Sequence, residues 1–134
     1  MSDKNIRWKQ RFSNFEKAYF FLEKAVAQNS YTELESAGLQ QAFEFTFELA
    51  WKTLKDFLEA MGVIKNFPRE VIKEAFASQI IQEGYVWIEM LEKRNELSHT
   101  YDLFTANKAS QQIRNTFFPA IQQLYLTLQT KKND

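Results

Sequence analysis

The spacing of apolar residues between Trp8 and Val26 constrains this chain more than any other feature. Trp8, Phe12, Phe15, Tyr19, Leu22 and Val26 follow one another at intervals of four, three, four, three and four. An α-helix turns by about 100° per residue, so this alternation lays all six side chains along one narrow stripe. A strand, with its period of two, would scatter them over both faces. A stripe of this kind is stable only when buried against other helices, as the seam of a bundle. Phe20 and Phe21 fall off it. Either the buried face is wide, or these two rings meet another subunit.

Helical spacing recurs along the chain, starting from a first helix over about Ile6 to Gln28. Thr32-Glu33-Leu34-Glu35 has the spacing of a capping box, with Gly38 weakening the turns that follow. The firm part of helix two spans Leu39 to Met61 and ends at Gly62. Phe43, Phe47, Ala50, Trp51, Leu54, Phe57, Leu58 and Met61 form its core face. Phe45 and Leu49, four apart and beside Lys52, lie roughly opposite. A second apolar strip on a helix already buried once points to a second packing surface, here a homodimer contact.

Pro68 suits the first turn of a short third helix, whose apolar face is Val71, Ile72, Ala75 and Phe76. Helix four follows Gly84 and runs to about His99 or Tyr101. After a link at Asp102-Leu103-Phe104, Thr105 can cap a fifth helix reaching about Thr130. Its seam is Ile113, Phe117, Ile121, Leu124 and Leu128, and Pro119 predicts a kink near Asn115 to Pro119. With only 3 glycines and 2 prolines, the chain suits long helices and short connections. The expected fold is all-α: an antiparallel up-and-down bundle of four long helices plus one short helix, one domain over residues 1–134.

Charge and composition exclude several functions. The 17 basic and 17 acidic residues cancel, so a globally basic nucleic-acid binder is not indicated, although a local basic pocket is compatible. The absence of cysteine excludes disulfides and thiolate metal sites, and a single histidine excludes a His-rich metal site within one chain. No metal and no cofactor are expected. The polar start Met1-Ser2-Asp3-Lys4-Asn5 does not read as a signal peptide, and no run approaches the roughly 18 apolar residues of a membrane helix. A cytoplasmic protein without membrane contact is expected. The phosphate-loop, dinucleotide, zinc-protease and nucleophile-elbow motifs are missing, as is the acidic pair of a two-metal nucleotidyl-transfer site.

Helix four breaks its own pattern. Trp87, Met90 and Leu91 start an apolar stripe, yet the positions that continue it are Arg94, Ser98 and Tyr101. Asn95 and His99, four apart, form the neighbouring column. A buried charge or amide is costly without a partner. One explanation is structural: Arg94 pairs with Glu44 or Glu48 while the helix leaves the core. The other is functional, with these side chains facing a ligand.

Arg94-Asn95-Glu96-Leu97-Ser98-His99-Thr100-Tyr101 reads R-N-x-x-x-H-x-Y, which resembles the signature of the all-helical HEPN superfamily. The blocks from Phe43 to Asp56 and from Pro68 to Phe76 resemble one branch of it, the nucleotidyltransferase substrate-binding protein-like family. The resemblance covers nearly the whole chain. It implies a helical bundle similar to the substrate-binding domain of aminoglycoside nucleotidyltransferases, and a homodimer. It also implies a complex with a separate minimal nucleotidyltransferase that carries the metal-binding carboxylates missing here. In related pairs this subunit is a ribonuclease toxin, and the nucleotidyltransferase neutralises it by adding AMP to the motif tyrosine, here Tyr101.

Three functions follow. In the first, the chain is the binding subunit of a two-component nucleotidyltransferase: Arg94 and His99 hold a phosphate of a nucleotide or RNA, and Tyr101 stacks or accepts the nucleotide. In the second, it is a metal-independent ribonuclease. There His99 moves a proton at the ribose 2′-hydroxyl or the leaving oxygen, Arg94 stabilises the phosphate charge, and Asn95 orients His99 or the phosphate. One imidazole does not easily serve as both acid and base, so a dimer supplying two copies of Arg94 and His99 to one cleft would give Phe45 and Leu49 a purpose. In the third, the motif is only an ion-pair and hydrogen-bond network at a dimer seam.

Overall fold

In a computed structural model of the chain, residues 2–97 and 103–134 are described, with 103–106 described by backbone alone. Every regular element among them is helical. α1 spans Asp3–Val26, α2 Glu33–Ala60, α3 Pro68–Ala77, α4 Gly84–Leu97 and α5 Leu103–Gln112; a π-helical stretch, Ile113–Phe117, leads into α6, Phe118–Lys132. No helix among the described residues is long and apolar enough to cross a membrane.

The helix ends follow local chemistry. Ser2 caps α1 by accepting from the Asn5 N–H. The Thr32–Glu35 capping box forms in both directions, so α2 starts there and Gly38 is simply carried within it. At the far end Gly62 takes φ 91°, its N–H bonding to the Glu59 carbonyl and that of Val63 to the Leu58 carbonyl. This is a Schellman closure, which needs a left-handed residue at that place. α3 closes the same way through Gln79, at φ 62°, and Ile80.

The seam read from the sequence is buried, except that Val26 at its end is only half-buried against the core. Trp8, Phe12, Phe15, Tyr19 and Leu22 of α1 are buried, as are Phe43, Phe47, Ala50, Trp51, Leu54, Phe57 and Leu58 of α2. Ile113, Phe117, Ile121, Leu124 and Leu128 join them, as do Val71, Ile72 and Ala75 of α3 and Val86, Trp87, Met90 and Leu91 of α4. Along α1, the residues contacted on α2 fall in number as α1 rises: Arg7 with Glu59, Arg11 with Asp56, and the Ala18 carbonyl with the Thr46 hydroxyl. α1 meets α6 through rings. Tyr19 stacks on Tyr125 at 4.3 Å and on Phe118 at 5.6 Å, while the Tyr125 hydroxyl donates to Glu16 at 2.6 Å. Burial pushes both phenols above their ordinary range, so they stay neutral and act as hydrogen-bonding rings.

Some expectations change. Met61 sits at the α2 C-cap, where the chain turns away, and is exposed; half-buried Val63 packs against the core instead. Phe76 is exposed too, because Val71, Ile72 and Ala75 already fill the inner face of α3. Phe20 and Phe21 are exposed, though Phe20 still touches the Tyr125 ring edge. α5 begins at Leu103, so Thr105 lies inside the helix rather than capping it. The proline is absorbed by the π-helical stretch: Pro119 has no N–H for the Asn115 carbonyl, and the Phe118 N–H reaches back five residues to Ile113. The expected end of helix four at His99 or Tyr101 lies outside the described residues.

Candidate functional site

α2 and α4 meet around Phe47. Its ring is fully buried, 6.1 Å from both Phe43 and Trp87. Arg94 lies seven residues beyond Trp87, nearly two helical turns, and so returns to the same side of α4. Its guanidinium rests over the Phe47 ring, 5.9 Å from the centroid. With 28% of its side chain exposed, Arg94 stands at the rim of the core rather than inside it.

Its ionic partner is Glu48. Nη1 of Arg94 comes within 3.0 Å of Glu48 Oε1. The approach lacks hydrogen-bond alignment, and neither Arg94 Nε nor Glu48 Oε1 has a hydrogen-bond partner among the described residues. The other carboxylate oxygen is better held. Trp51 Nε1 donates to Glu48 Oε2 at 3.1 Å, and the Lys52 ammonium stands 3.8 Å from it. The structural expectation for Arg94 is therefore met in the choice of partner.

Arg94 and Glu48 border a recess of about 300 Å³ that Gln41, Glu44 and Phe45 complete. These four α2 positions recur at intervals of three, one and three residues, so one side of the helix supplies them all. Phe45 is 61% exposed at this recess, whereas Leu49, one turn on, is half-buried against the core. Glu44 makes no ion pair within 4 Å among the described residues. Burial raises its carboxyl above the ordinary carboxylate range, and Arg94 only partly offsets this.

The shift has a stability consequence. The folded state holds the Glu44 proton more tightly than the unfolded state, so it binds more protons across the carboxylate range. The fold therefore loses stability as pH rises through that range. Glu44→Gln should melt at a higher temperature than the parent at neutral pH, with the difference closing as pH falls below the ordinary glutamate range. Thermal melts at several pH values check this.

Of the expected site residues, the structure brings Arg94 and Phe45 to one recess and leaves Asn95 exposed on the neighbouring side of α4. His99 and Tyr101 lie outside the described residues. Sequence reasoning misses Gln41 and the indole of Trp51. The polar spacing Gln41, Glu44, Glu48, Lys52 along α2 carries that signal, but the apolar pattern of the same helix hides it.

Residues 10–130 match the family model described as nucleotidyltransferase substrate binding protein like. The chain belongs to this family. Both arms of the Arg94–Glu48 contact lie within the matched span, so the recess is part of the family domain. Comparison with curated proteins gives no match. Among solved structures, a protein from Thermus thermophilus is similar with a TM-score of 0.76 and 24% identity, over 90% of this chain and 99% of that one. At that identity the likeness establishes the fold of this nucleotidyltransferase substrate-binding-like chain and leaves its chemistry to its own residues.

Proposed function

We propose that the chain is the helical, substrate- or nucleotide-binding subunit of a two-component minimal nucleotidyltransferase. The observation that carries this reading is the Arg94 guanidinium at the rim of an open recess, in a chain whose family is named for serving a nucleotidyltransferase. In this reading Arg94 and His99 bind a phosphate, Asn95 orients His99 or the phosphate, and Tyr101 stacks or accepts the nucleotide. The separate nucleotidyltransferase supplies the metal-binding carboxylates. The chain acts as one cytoplasmic domain of HEPN type over residues 1–134, an antiparallel up-and-down bundle of four long helices plus one short. The inverse order of contacts along α1 and α2 supports that topology.

The same reading makes the chain a homodimer through Phe45 and Leu49. Phe45 lines the recess that holds Arg94, so a second copy seated on that ring closes the cleft and brings its own motif to it. A carboxylate at position 45 should keep the fold, because the ring is mostly exposed, but should split the dimer. The expected result for Phe45→Glu is half the parent's solution mass by light scattering; an unchanged mass would rule out this seam.

The test of the function is the intact mass of the chain after incubation with the proposed partner nucleotidyltransferase, ATP and magnesium. A mass gain of one AMP, absent in Tyr101→Phe, together with no RNA cleavage by the unmodified chain, is the expected outcome. RNA cleavage by the chain alone, lost in His99→Ala, would instead assign it the ribonuclease role.

A further inference from the structure

We infer that Glu48 sets the anion affinity of Arg94 by occupying it: a phosphate reaches the guanidinium only in competition with this carboxylate. The inference rests on the reading of Arg94 as a phosphate contact, and adds to it a residue that regulates that contact. Three observations carry it. Glu48 Oε1 stands 3.0 Å from Arg94 Nη1, close enough to offset part of the guanidinium's charge. The carboxylate cannot readily follow a departing guanidinium, because Trp51 Nε1 and Lys52 Nζ hold its other oxygen at 3.1 and 3.8 Å. And the pair lacks hydrogen-bond alignment, so Arg94 can exchange it for a better aligned acceptor.

A phosphate in the recess is such an acceptor, since a guanidinium can present two parallel N–H groups to two of its oxygens. The recess offers space for it beside Arg94, and Gln41 adds an amide at the same opening. Glu44 lies there too and repels an anion when ionised, so the unoccupied recess is poor in net positive charge. The resting site thus disfavours stray anions, and only a ligand with further contacts displaces Glu48. Asp56 of the same helix is paired with Arg11 and plays no part.

The experiment measures affinity of the full-length protein for two probes, AMP and a fluorescently labelled single-stranded RNA oligomer, at low and moderate salt. Glu48→Gln keeps an oxygen for the Trp51 indole but removes the charge facing Arg94. It should bind the probes about tenfold more tightly than the parent, with a gain that shrinks as salt rises. Adding Arg94→Gln should erase that gain. Tightening for both probes assigns the site to phosphate itself, and tightening for the oligomer alone assigns it to a phosphodiester.

Circular dichroism verifies folding. Should Glu48→Gln not fold, Glu48→Asp withdraws the charge by one methylene and should show a smaller gain of the same sign. Equal or weaker binding by the folded variant overturns the inference. If Arg94→Gln alone weakens binding while Glu48→Gln does not tighten it, only this inference falls. If Arg94→Gln binds both probes as the parent does, the phosphate reading falls and takes this with it.

Discussion

Phe47→Ala is expected to cost about 3 to 5 kcal/mol of folding stability. The ring is fully buried at the junction of α2 and α4. Phe43 and Trp87 pack on it at 6.1 Å, and the Arg94 guanidinium lies 5.9 Å from its centroid. Truncation removes transfer energy and leaves a cavity whose walls belong to two helices and cannot close freely. It also takes away the platform that fixes Arg94, so phosphate affinity should fall along with stability. Urea unfolding checks the first effect. A loss below about 1.5 kcal/mol would mean that the α2–α4 junction collapses readily and is not the rigid support described above.

Arg11→Met should cost about 2 to 3 kcal/mol, whereas Arg7→Met should cost less than about 1 kcal/mol. Both arginines reach from α1 to carboxylates of α2 at 3.0 Å. The difference lies in the acids. Asp56 is 3% exposed, and losing Arg11 strands its charge in the interior. Glu59 keeps Lys55 nearby at 3.9 Å when Arg7 is removed, and Arg7 itself is 54% exposed. Replacing both Arg11 and Asp56 with apolar residues should recover much of the loss, because the desolvation cost leaves with the charges. Denaturant midpoints of the three variants measure this. Equal losses for Arg7→Met and Arg11→Met would show that burial of Asp56 does not decide the energetics.

The bundle is largely legible in the sequence because burial here is periodic. The α1 stripe from Trp8 to Leu22 and the stripe from Ile113 to Leu128 are buried as their spacing predicts. Capping chemistry is equally legible at Thr32 and Gly62, since both depend on residues within a few positions of each other. What escapes are effects decided by neighbours distant in sequence. Phe76 has the spacing of a core residue, but Val71, Ile72 and Ala75 already fill the inner face of α3. Met61 fails for a local reason that the apolar pattern alone cannot weigh: the left-handed turn at Gly62 redirects the chain, and Val63 takes its place. Pro119 predicts a distortion but not its form, a π-helical stretch rather than a simple kink.

The site is legible in part. A charged residue at a seam position identifies Arg94, and the need for a counter-charge narrows its partner to Glu44 or Glu48. Choosing between them requires the structure, because both lie on the α2 side that borders the recess. One turn apart, they have different surroundings: Glu48 is held by Trp51 and paired with Arg94, while Glu44 faces the recess with a raised carboxyl. No periodicity encodes that distinction.

A chain that works as the binding subunit of a nucleotidyltransferase must join that enzyme in solution. The most direct measurement is light scattering on a size-exclusion column. The purified chain is mixed with the purified minimal nucleotidyltransferase proposed as its partner and compared with each protein alone. One peak containing both chains, with a mass above that of either separate protein, is the predicted result. Two peaks at the unmixed positions, with both proteins well above micromolar concentration, would contradict it.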